Sequence, residues 1–324
     1  MIEVGTALVI LGSIGAGIKI HDYIEAETLA YDVYDEYRLS RASLSVLDQA
    51  WQDNSLRSDA IVSLTTIPSR LPLIGLTLKS LMRQRLAPAR IVLNLPRFSR
   101  RENTPYEVPE FLQGLRSVHI RWCEDLGPAT KLLPSLMGED ADQRIVVVDD
   151  DRIYPDNLIE DLVAAAKRQP NTVASMRGWV VPPDLTDRPT TLWRKLSRVP
   201  SAPTPVRARS ISSPIRVDII MGVSGYLVQP SFFDLAGIMD YSAAPREAFF
   251  VDDVWISAHL KVPRFVIPSA HVSYQPKQYK GIFDRTALSE INNGPRDDGL
   301  RNNTIVIRHF PKKWMIAGNG NSPD

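Results

Sequence analysis

The chain of 324 residues contains a single cysteine, Cys123, and almost no excess of charge of either sign. One cysteine excludes an internal disulfide framework and a zinc site built from cysteines. Lysine and arginine total 38 against 37 aspartates and glutamates, so the broad basic excess of a general nucleic-acid-binding protein is absent. Hydrophobic residues make up 44%, an ordinary share for a soluble core, which excludes a disordered chain. We therefore expect a folded protein with no nucleic-acid partner.

An uncharged stretch near the N-terminus, residues 4–18, is short for a membrane span. As a helix it would rise about 22 Å, against about 30 Å for the hydrocarbon core of a bilayer. No basic residue precedes it and no obvious cleavage site follows it, so we expect no cleaved signal peptide. Three interpretations stay open. They are a short membrane-anchoring helix whose glycines admit a second helix, an element packed on this protein or a sister subunit, and a dinucleotide fingerprint, although GSIGAG spaces its glycines wrongly for that motif.

The chain divides into four predicted parts. Residues 1–20 form a hydrophobic segment and candidate membrane anchor. The absence of disulfides and of a cleaved signal peptide favours a location at the cytoplasmic face of a membrane. Residues 21–57 have apolar side chains at helical spacing and predict one or two connector helices, either docked on the main domain or forming a stalk or dimer contact. Residues 58–312 form the main domain and residues 313–324 a flexible tail. Homo-oligomers are compatible with this organisation.

Short apolar runs alternate with helical patterns through the main domain. Runs of this length, bounded by prolines or charged residues, are typical of buried strands. Their alternation with helices predicts an α/β fold, with a mostly parallel sheet covered by helices on both faces. We predict strands within residues 61–68, 90–96, 117–123, 144–151 and 171–179, and a helix over 157–169.

Three consecutive aspartates, Asp149, Asp150 and Asp151, follow one of these apolar runs. Their mutual repulsion needs a cation to offset it. In open α/β sheets, ligands bind outside the carboxyl ends of the strands. Carboxylates at that position suit a hard cation such as Mg²⁺ or Mn²⁺. Capping of the helix that begins near Asn157 is the structural alternative, but Asp156 already supplies such a cap.

Five segments resemble those of GT-A fold glycosyltransferases, with a layout similar to family 2 and exostosin-like enzymes, and they follow the order of that family. They are IVSLTTIPSR, GLTLKSLMRQRLAPARIVLNLP, the strand with its D-x-D-like aspartates, IIMGVSGYLV and FFVDDVWISAHL. The resemblance covers roughly residues 58–275. It implies a Rossmann-like mixed sheet, a nucleotide-sugar donor (most simply a UDP-sugar) and Mn²⁺ or Mg²⁺ as cofactor.

The resemblance also implies roles for individual residues. Asp151 is expected to ligate the metal, Asp149 to contact the metal or the ribose, and Asp150 to position the donor sugar. Lys131 is expected to pair with the diphosphate. The remaining donor and sugar contacts are expected from Thr65, Thr66, Arg70, Gly222 and Gly225.

Asp252 and Asp253 open a predicted amphipathic helix after an apolar run. A carboxylate at a helix N-terminus is favoured by the dipole, so capping explains one of them and leaves the other free to act on a substrate hydroxyl. In an inverting transferase, Asp253 would be the general base. In a retaining enzyme it would only orient substrates. The histidine ligand of the family is expected at His309, beside two lysines, in preference to His271.

Two further features concern the acceptor. Trp179 and Trp255 are candidate sugar-stacking rings, although tryptophans are more often part of the core. The basic, proline-rich segment over residues 182–214, around Trp193 to Lys195, is expected to cover the acceptor site.

These patterns together predict a metal-dependent glycosyltransferase that acts on a glycan or lipid-linked acceptor. Two other classes remain. A nucleotidyltransferase usually has a glycine-rich phosphate loop after its first strand, where this chain has TTIPSR. A non-catalytic glycan-binding or scaffold protein of the same fold would have no need to retain both acidic clusters.

Overall fold

We analysed a computed structural model of the chain, which describes residues 12–13, 15–20, 22, 28–188, 205–288, 292 and 300–315. Most of the uncharged stretch over residues 4–18 and the segment around Trp193 therefore lie outside the described residues. Within the described parts, no helix is both long and apolar enough to cross a membrane.

Short strands build three sheets. The strands are β1 Ile61–Thr65, β2 Ile91–Pro96, β3 Phe98–Ser99, β4 Thr104–Pro105, β5 Val118–Cys123, β6 Ile145–Val147, β7 Val173–Ser175, β8 Arg177–Trp179, β9 Val206–Arg207, β10 Ile215–Arg216, β11 Ile219–Ile220, β12 Tyr226–Val228 and β13 Arg264–Val266. The central sheet has eight strands in the order β10-β13-β7-β12-β6-β1-β2-β5. A second sheet has the order β11-β8-β9, and β3 pairs with β4.

The predicted α/β class and mostly parallel sheet are confirmed. Strands β6, β1, β2 and β5 are parallel neighbours, as are β7 and β13. Strand β12 lies between β6 and β7 and runs antiparallel to both. The carboxyl end of β6 therefore meets the amino end of β12 at one edge of the sheet. Every residue of β2 and β6 is buried, which explains why both read as continuous apolar runs.

The single strand predicted over residues 171–179 is wrong, because the segment forms two strands in different sheets. Between them, the backbone N–H of Met176 donates to the carbonyl oxygen of Gly225, and the Ser175 hydroxyl donates to the carbonyl oxygen of Arg177 at 2.7 Å. The second bond turns the chain locally and directs β8 out of the central sheet.

Helices flank the sheet. They are α1 Leu29–Arg41, α2 Leu44–Asp53, α3 Gly75–Met82, α4 Leu133–Gly138, α5 Leu158–Arg168, α6 Leu235–Met239, α7 Asp252–His259, α8 Lys280–Arg285 and α9 Asn302–His309. Helix α5 buries one apolar face and has acidic residues in its first turn and basic residues in its last, an arrangement favoured by the helix dipole.

Helices α1 and α2 occupy the predicted connector and are docked on the domain. In α2, Trp51 is buried and its indole N–H donates to the carbonyl oxygen of Pro88 at 3.1 Å. At the other terminus, the predicted tail is wrong for residues 313–315. Trp314 is 6% exposed there, and the Met315 N–H donates to Asp218 at 2.6 Å. Residues 316–324 lie outside the described chain.

Candidate active site

A cavity of about 400 Å³ opens where β1 and β6 end and β12 begins. Its position follows from the strand directions, since the inverted β12 brings the segment before it to the same edge as the aspartates after β6. Both predicted acidic clusters line it, together with Thr65, Thr66, Arg70, Lys131 and Trp179. The structure thus brings together residues that are up to about 190 positions apart in the sequence.

Lys131 connects the two acidic clusters. Its Nζ lies 2.7 Å from Oδ1 of Asp149, 2.8 Å from Oδ2 of Asp252 and 3.7 Å from Oδ1 of Asp253. The side chain is almost fully buried. Burial lowers the pKa of Lys131, but the three carboxylates raise it by more than burial lowers it. The pKa of Lys131 therefore lies well above its ordinary value. The lysine is therefore a permanent cation between the clusters.

Gly222 makes this lysine position available. A Cβ at residue 222 would lie 2.4 Å from Nζ of Lys131 and 2.9 Å from Oδ1 of Asp149. The backbone N–H of Gly222 donates to Oδ1 of Asp253 at 3.1 Å. The sequence predicts close approach of a sugar or an acceptor to this glycine, whereas the room that it provides is filled by the lysine.

Arg70 and Thr66 hold the other end of the aspartate triplet. The Arg70 Nη1 lies 3.1 Å from Oδ1 of Asp150 and 3.2 Å from Oδ2 of Asp151. Thr66 donates its hydroxyl to Oδ2 of Asp150. The same guanidinium donates through Nη2 to the carbonyl oxygen of Thr286 at 2.9 Å. Asp150 is thus occupied by protein donors, which leaves it less available to a ligand than its neighbours.

Asp151 is the member of the triplet whose charge is least well compensated. Burial raises its pKa, Asp150 and Asp149 raise it further, and Arg70 only partly opposes them, which brings it to about 6. The imbalance extends to the whole cavity, because the described lining has six acidic side chains and three cationic ones. The acids are Asp125, Asp149, Asp150, Asp151, Asp252 and Asp253, and the cations are Arg70, Arg101 and Lys131.

Asp252 and Asp253 begin helix α7, but their surroundings differ. The Asp252 side chain is 9% exposed and forms the close ion pair with Lys131, whereas 26% of the Asp253 side chain is exposed. Burial raises the pKa of Asp253, and Asp252 and Asp149 raise it further against the effect of Lys131, to about 7. Asp253 is therefore the acid of this pair that can exchange a proton near neutral pH.

The donor set fits a divalent cation that takes part of its coordination from a ligand. Among the described residues, no group of three or more histidine, cysteine or acidic side chains forms a complete metal cage. Mg²⁺ is usually held by one or two carboxylates plus substrate phosphates and water, and so needs no such cage. Asp151 and Asp149 supply hard oxygen donors in a cavity with excess negative charge, which matches that requirement.

Several predicted site residues lie elsewhere. His309 is exposed at the end of α9 with its ring 4.7 Å from that of Phe310, and it is not among the described residues that line the cavity. The predicted ligand role of His309 therefore has no support from its position. His271 packs on Tyr31, with ring centroids 5.3 Å apart, and is also outside the lining. Gly225 has φ +93° and a Cβ there would contact Leu158, so it serves a turn rather than a ligand.

The lysines next to His309 line a different cavity. This second cavity, of about 340 Å³, has no acidic side chain in its described lining. Lys312 and Lys313 therefore do not reach the acidic clusters. Its cationic residues are Arg216, Lys261, Arg264, Lys312 and Lys313.

The two tryptophans that were candidates for sugar stacking lie in different places. Trp179 lines the cavity and is 7% exposed. Trp255 belongs to the core, because its ring stacks on Tyr241 at 4.4 Å and its indole N–H donates to the carbonyl oxygen of Ile238 at 2.9 Å. The sugar-stacking prediction for Trp255 is therefore wrong.

The lining residues that sequence reasoning missed include Tyr106, Arg101 and Asn303. Tyr106 donates its hydroxyl to the carbonyl oxygen of Thr66 at 2.8 Å, and Arg101 donates to the carbonyl oxygen of Thr286. Asn303 reaches the cavity from α9. No local pattern marked them, since the first two come from the loop around the β3–β4 hairpin and the third lies far along the chain.

No family model and no curated protein sequence matches this chain. Among solved structures, it is similar to GalNAc-T7 in complex with UDP, GalNAc and Mn²⁺, with 14% identity over 66% of this chain and a TM-score of 0.40. It is also similar to residues 1–349 of S. aureus TarS, with 12% identity over 78% of this chain and a TM-score of 0.43. A third is the mannosyltransferase PcManGT from Pyrobaculum calidifontis with GDP-Man and Mn²⁺, at 13% identity over 75% of this chain and a TM-score of 0.41.

The matched region spans 42% of GalNAc-T7, 70% of the TarS chain and 64% of PcManGT. The fold of the present chain is defined by its own sheet topology.

Proposed function

We propose that the chain is a metal-dependent glycosyltransferase that transfers a sugar from a nucleotide-sugar donor to a hydroxyl of a glycan or lipid-linked acceptor. The observation that carries the proposal is the meeting of two acidic clusters around Lys131 in one cavity. One cluster follows a parallel strand, where ligands of α/β sheets bind. The other begins a helix and contains an acid with a pKa of about 7.

On the donor side, Asp151 and Asp149 would hold the divalent cation. When bound, the cation supplies Lewis-acid stabilisation to the charge that develops on a nucleoside diphosphate leaving group. The excess negative charge of the cavity repels a diphosphate on its own, so donor and cation are expected to bind together. Thr65 is the last residue of β1 and Arg70 lies in the turn that follows, and both line the cavity where the nucleotide would bind. A UDP-sugar is the donor to test first.

On the acceptor side, Asp253 would act as general base in an inverting transfer. Its carboxylate takes the proton of the acceptor hydroxyl while the hydroxyl oxygen forms a bond to the anomeric carbon and the bond from that carbon to the diphosphate oxygen breaks. The Gly222 N–H and Lys131 fix the carboxylate from one side. Trp179 in the same lining can shield the reacting centre from water.

A donor panel tests the proposal directly. Release of nucleoside diphosphate from UDP-, GDP- and dTDP-sugars would be measured with Mn²⁺, with Mg²⁺ and with EDTA, for the wild type, Asp151→Asn and Asp59→Asn. Asp59 is a mostly exposed carboxylate whose partner is Arg144, and it is not part of the cavity lining. We expect slow hydrolysis of one donor that is lost with EDTA and in Asp151→Asn, and retained in Asp59→Asn.

The same panel separates the other classes. A nucleotidyltransferase would release pyrophosphate from a nucleoside triphosphate and leave the sugar nucleotides intact. If no donor binds by calorimetry with any metal, the catalytic proposal fails and a glycan-binding role becomes the interpretation to pursue.

A further inference from the structure

Helix α1 has an inverted polarity, with its acids inside and its aromatic rings outside. Asp32, Asp35 and Glu36 are all less than 8% exposed. Tyr34 and Tyr37, in contrast, are 59% and 54% exposed. An amphipathic helix of a soluble domain normally turns its apolar side inward. Helix α1 therefore has the opposite of the usual arrangement.

Specific bonds fix the rotation of the helix about its axis. Asp35 forms an ion pair with Arg83 and accepts a hydrogen bond from the Tyr274 hydroxyl at 2.9 Å. Glu36 accepts from two successive backbone N–H groups, those of residues 277 and 278, at 2.7 and 3.0 Å. These partners come from two separate parts of the domain. The outward direction of the tyrosines is thus imposed by buried contacts and is not a consequence of loose packing.

The outward face carries cations and no acids. Arg38 lies over the ring of Tyr34 at 5.9 Å, and Arg41 lies over the ring of Tyr37 at 4.6 Å. Every acidic residue of the helix is buried, so the exposed surface combines aromatic rings with two positive charges. Val33 adds an exposed aliphatic side chain between the tyrosines. We call Tyr31, Val33, Tyr34, Tyr37, Arg38 and Arg41 the outer face of α1.

The start of the helix is tied to the segment that follows the uncharged N-terminal stretch. The backbone N–H of Leu29 donates to Oδ1 of Asp22 at 2.8 Å. Residues 4–18, which carry no charge, precede this contact by only a few positions in the sequence. The outer face of α1 is thus continuous along the chain with the least polar segment of its N-terminal region.

We propose that the outer face of α1 lies on an anionic lipid surface and sets the orientation of the domain on it. Tyrosines are enriched at membrane–water interfaces, where the amphipathic ring lies at the level of the lipid headgroups. Arginines that emerge from such a face pair with anionic headgroups. Both features occur here on a helix that the domain holds rigidly. The surface acts independently of the proposed transfer reaction.

A fluorescence experiment on the full chain tests this surface. Because Cys123 is the only cysteine, Cys123→Ser gives a background for single labelling positions. Tyr34→Cys would carry the environment-sensitive label NBD, and Met137→Cys would be the control, since Met137 is an equally exposed helical position at 56%. Spectra would be recorded with vesicles of phosphatidylcholine alone or with added phosphatidylglycerol, while co-sedimentation measures the bound fraction.

We expect a blue shift at position 34 with anionic vesicles and none at position 137. In the unlabelled chain, Arg38→Gln and Arg41→Gln should each weaken partitioning about fivefold at low salt. If the chain does not bind vesicles, or binds while position 34 stays in water, the proposal is wrong. A blue shift without lipid would also overturn it. If the blue shift without lipid depends on the protein concentration, a second copy of the chain covers the outer face of α1. If it does not, the N-terminal segment of the same chain covers this face.

Discussion

At the scale of single residues, Lys131 decides whether two groups of carboxylates can share one cavity. A nearly buried cation within 3 Å of both Asp149 and Asp252 offsets charges that would otherwise repel each other and lose hydration. Gly222 leaves room for this cation, since a Cβ at residue 222 would lie 2.4 Å from the ammonium nitrogen and would require the Lys131 side chain to shift.

Replacing Lys131 by methionine keeps the volume and removes the charge. We expect the free energy of unfolding to fall by about 3–5 kcal/mol, because the variant leaves buried carboxylates without their cation. Urea unfolding at pH 7 measures the change. Lys167→Met, at an exposed position of α5, is the control and should stay within about 0.5 kcal/mol of the wild type. Equal stability of both variants would show that Lys131 does not compensate the clusters.

Asp253 gives a pH dependence with a definite sign. In the proposed inverting transfer, only the deprotonated form of Asp253 can accept the acceptor proton, so kcat/KM should fall about tenfold per pH unit below its pKa of about 7 and level off above it. Asp253→Asn should lower kcat by about 10²–10⁴ with little change in donor affinity. The exposed Asp240→Asn serves as control. If Asp253→Asn keeps the wild-type kcat and the same fall of kcat/KM at low pH, the general base is another group.

At the scale of elements, α1 is attached through an ion pair with its own pH dependence. Burial raises the pKa of Asp35, but the Arg83 guanidinium and the Tyr274 hydroxyl outweigh this and bring it below its ordinary value. An acid whose pKa is lower in the folded state adds stability above its unfolded pKa of about 3.9 and loses it as the pH falls through the folded value. The docking of α1 should therefore weaken under acid conditions.

The variant Asp35→Asn tests this attachment. We expect the free energy of unfolding, measured with urea, to fall by about 3 kcal/mol at pH 7, since Arg83 would be left without its carboxylate. The difference in the free energy of unfolding between the wild type and the variant should become smaller at pH 3, where Asp35 begins to be protonated in the wild type. Asp53→Asn, on the exposed side of α2, should show no such difference at either pH. A difference in the free energy of unfolding that does not change with pH would mean that the ion pair contributes nothing to stability.

At the scale of the whole molecule, the sheet was predictable because buried parallel strands read as apolar runs. Strands β1, β2, β5 and β6 and helix α5 all fall within their predicted ranges. The split between β7 and β8 was not predictable, since the two strands follow each other almost directly and the partners of β8 are β9 and β11, about thirty and forty residues further along the chain. Partner choice of this kind is a long-range property that a local pattern does not contain.

For the site, sequence reasoning found residues whose chemistry is unusual for their position. Consecutive acids after an apolar run are costly, so both acidic clusters stood out. It failed for Trp255 and His309, because ring and imidazole side chains serve a core or a surface as readily as a ligand. It also gave no sign that α1 turns its acids inward, which depends on Arg83 and Tyr274 from distant elements.

The small sheet formed by β11, β8 and β9 has a consequence for how such a protein can diversify. Strand β8 ends at Trp179 in the cavity wall, and β9 returns beside it, with Gly178 paired to Val206. Both ends of the intervening connection are thus anchored by strand pairing, and doubling the length of a loop costs only about 0.6 kcal/mol. Insertions and deletions in this connection can therefore be accepted while the pairing of β8 and the positions of Asp149, Lys131 and Asp253 are kept. In the proposed transferase, acceptor preference can therefore evolve separately from the residues proposed to carry out the transfer.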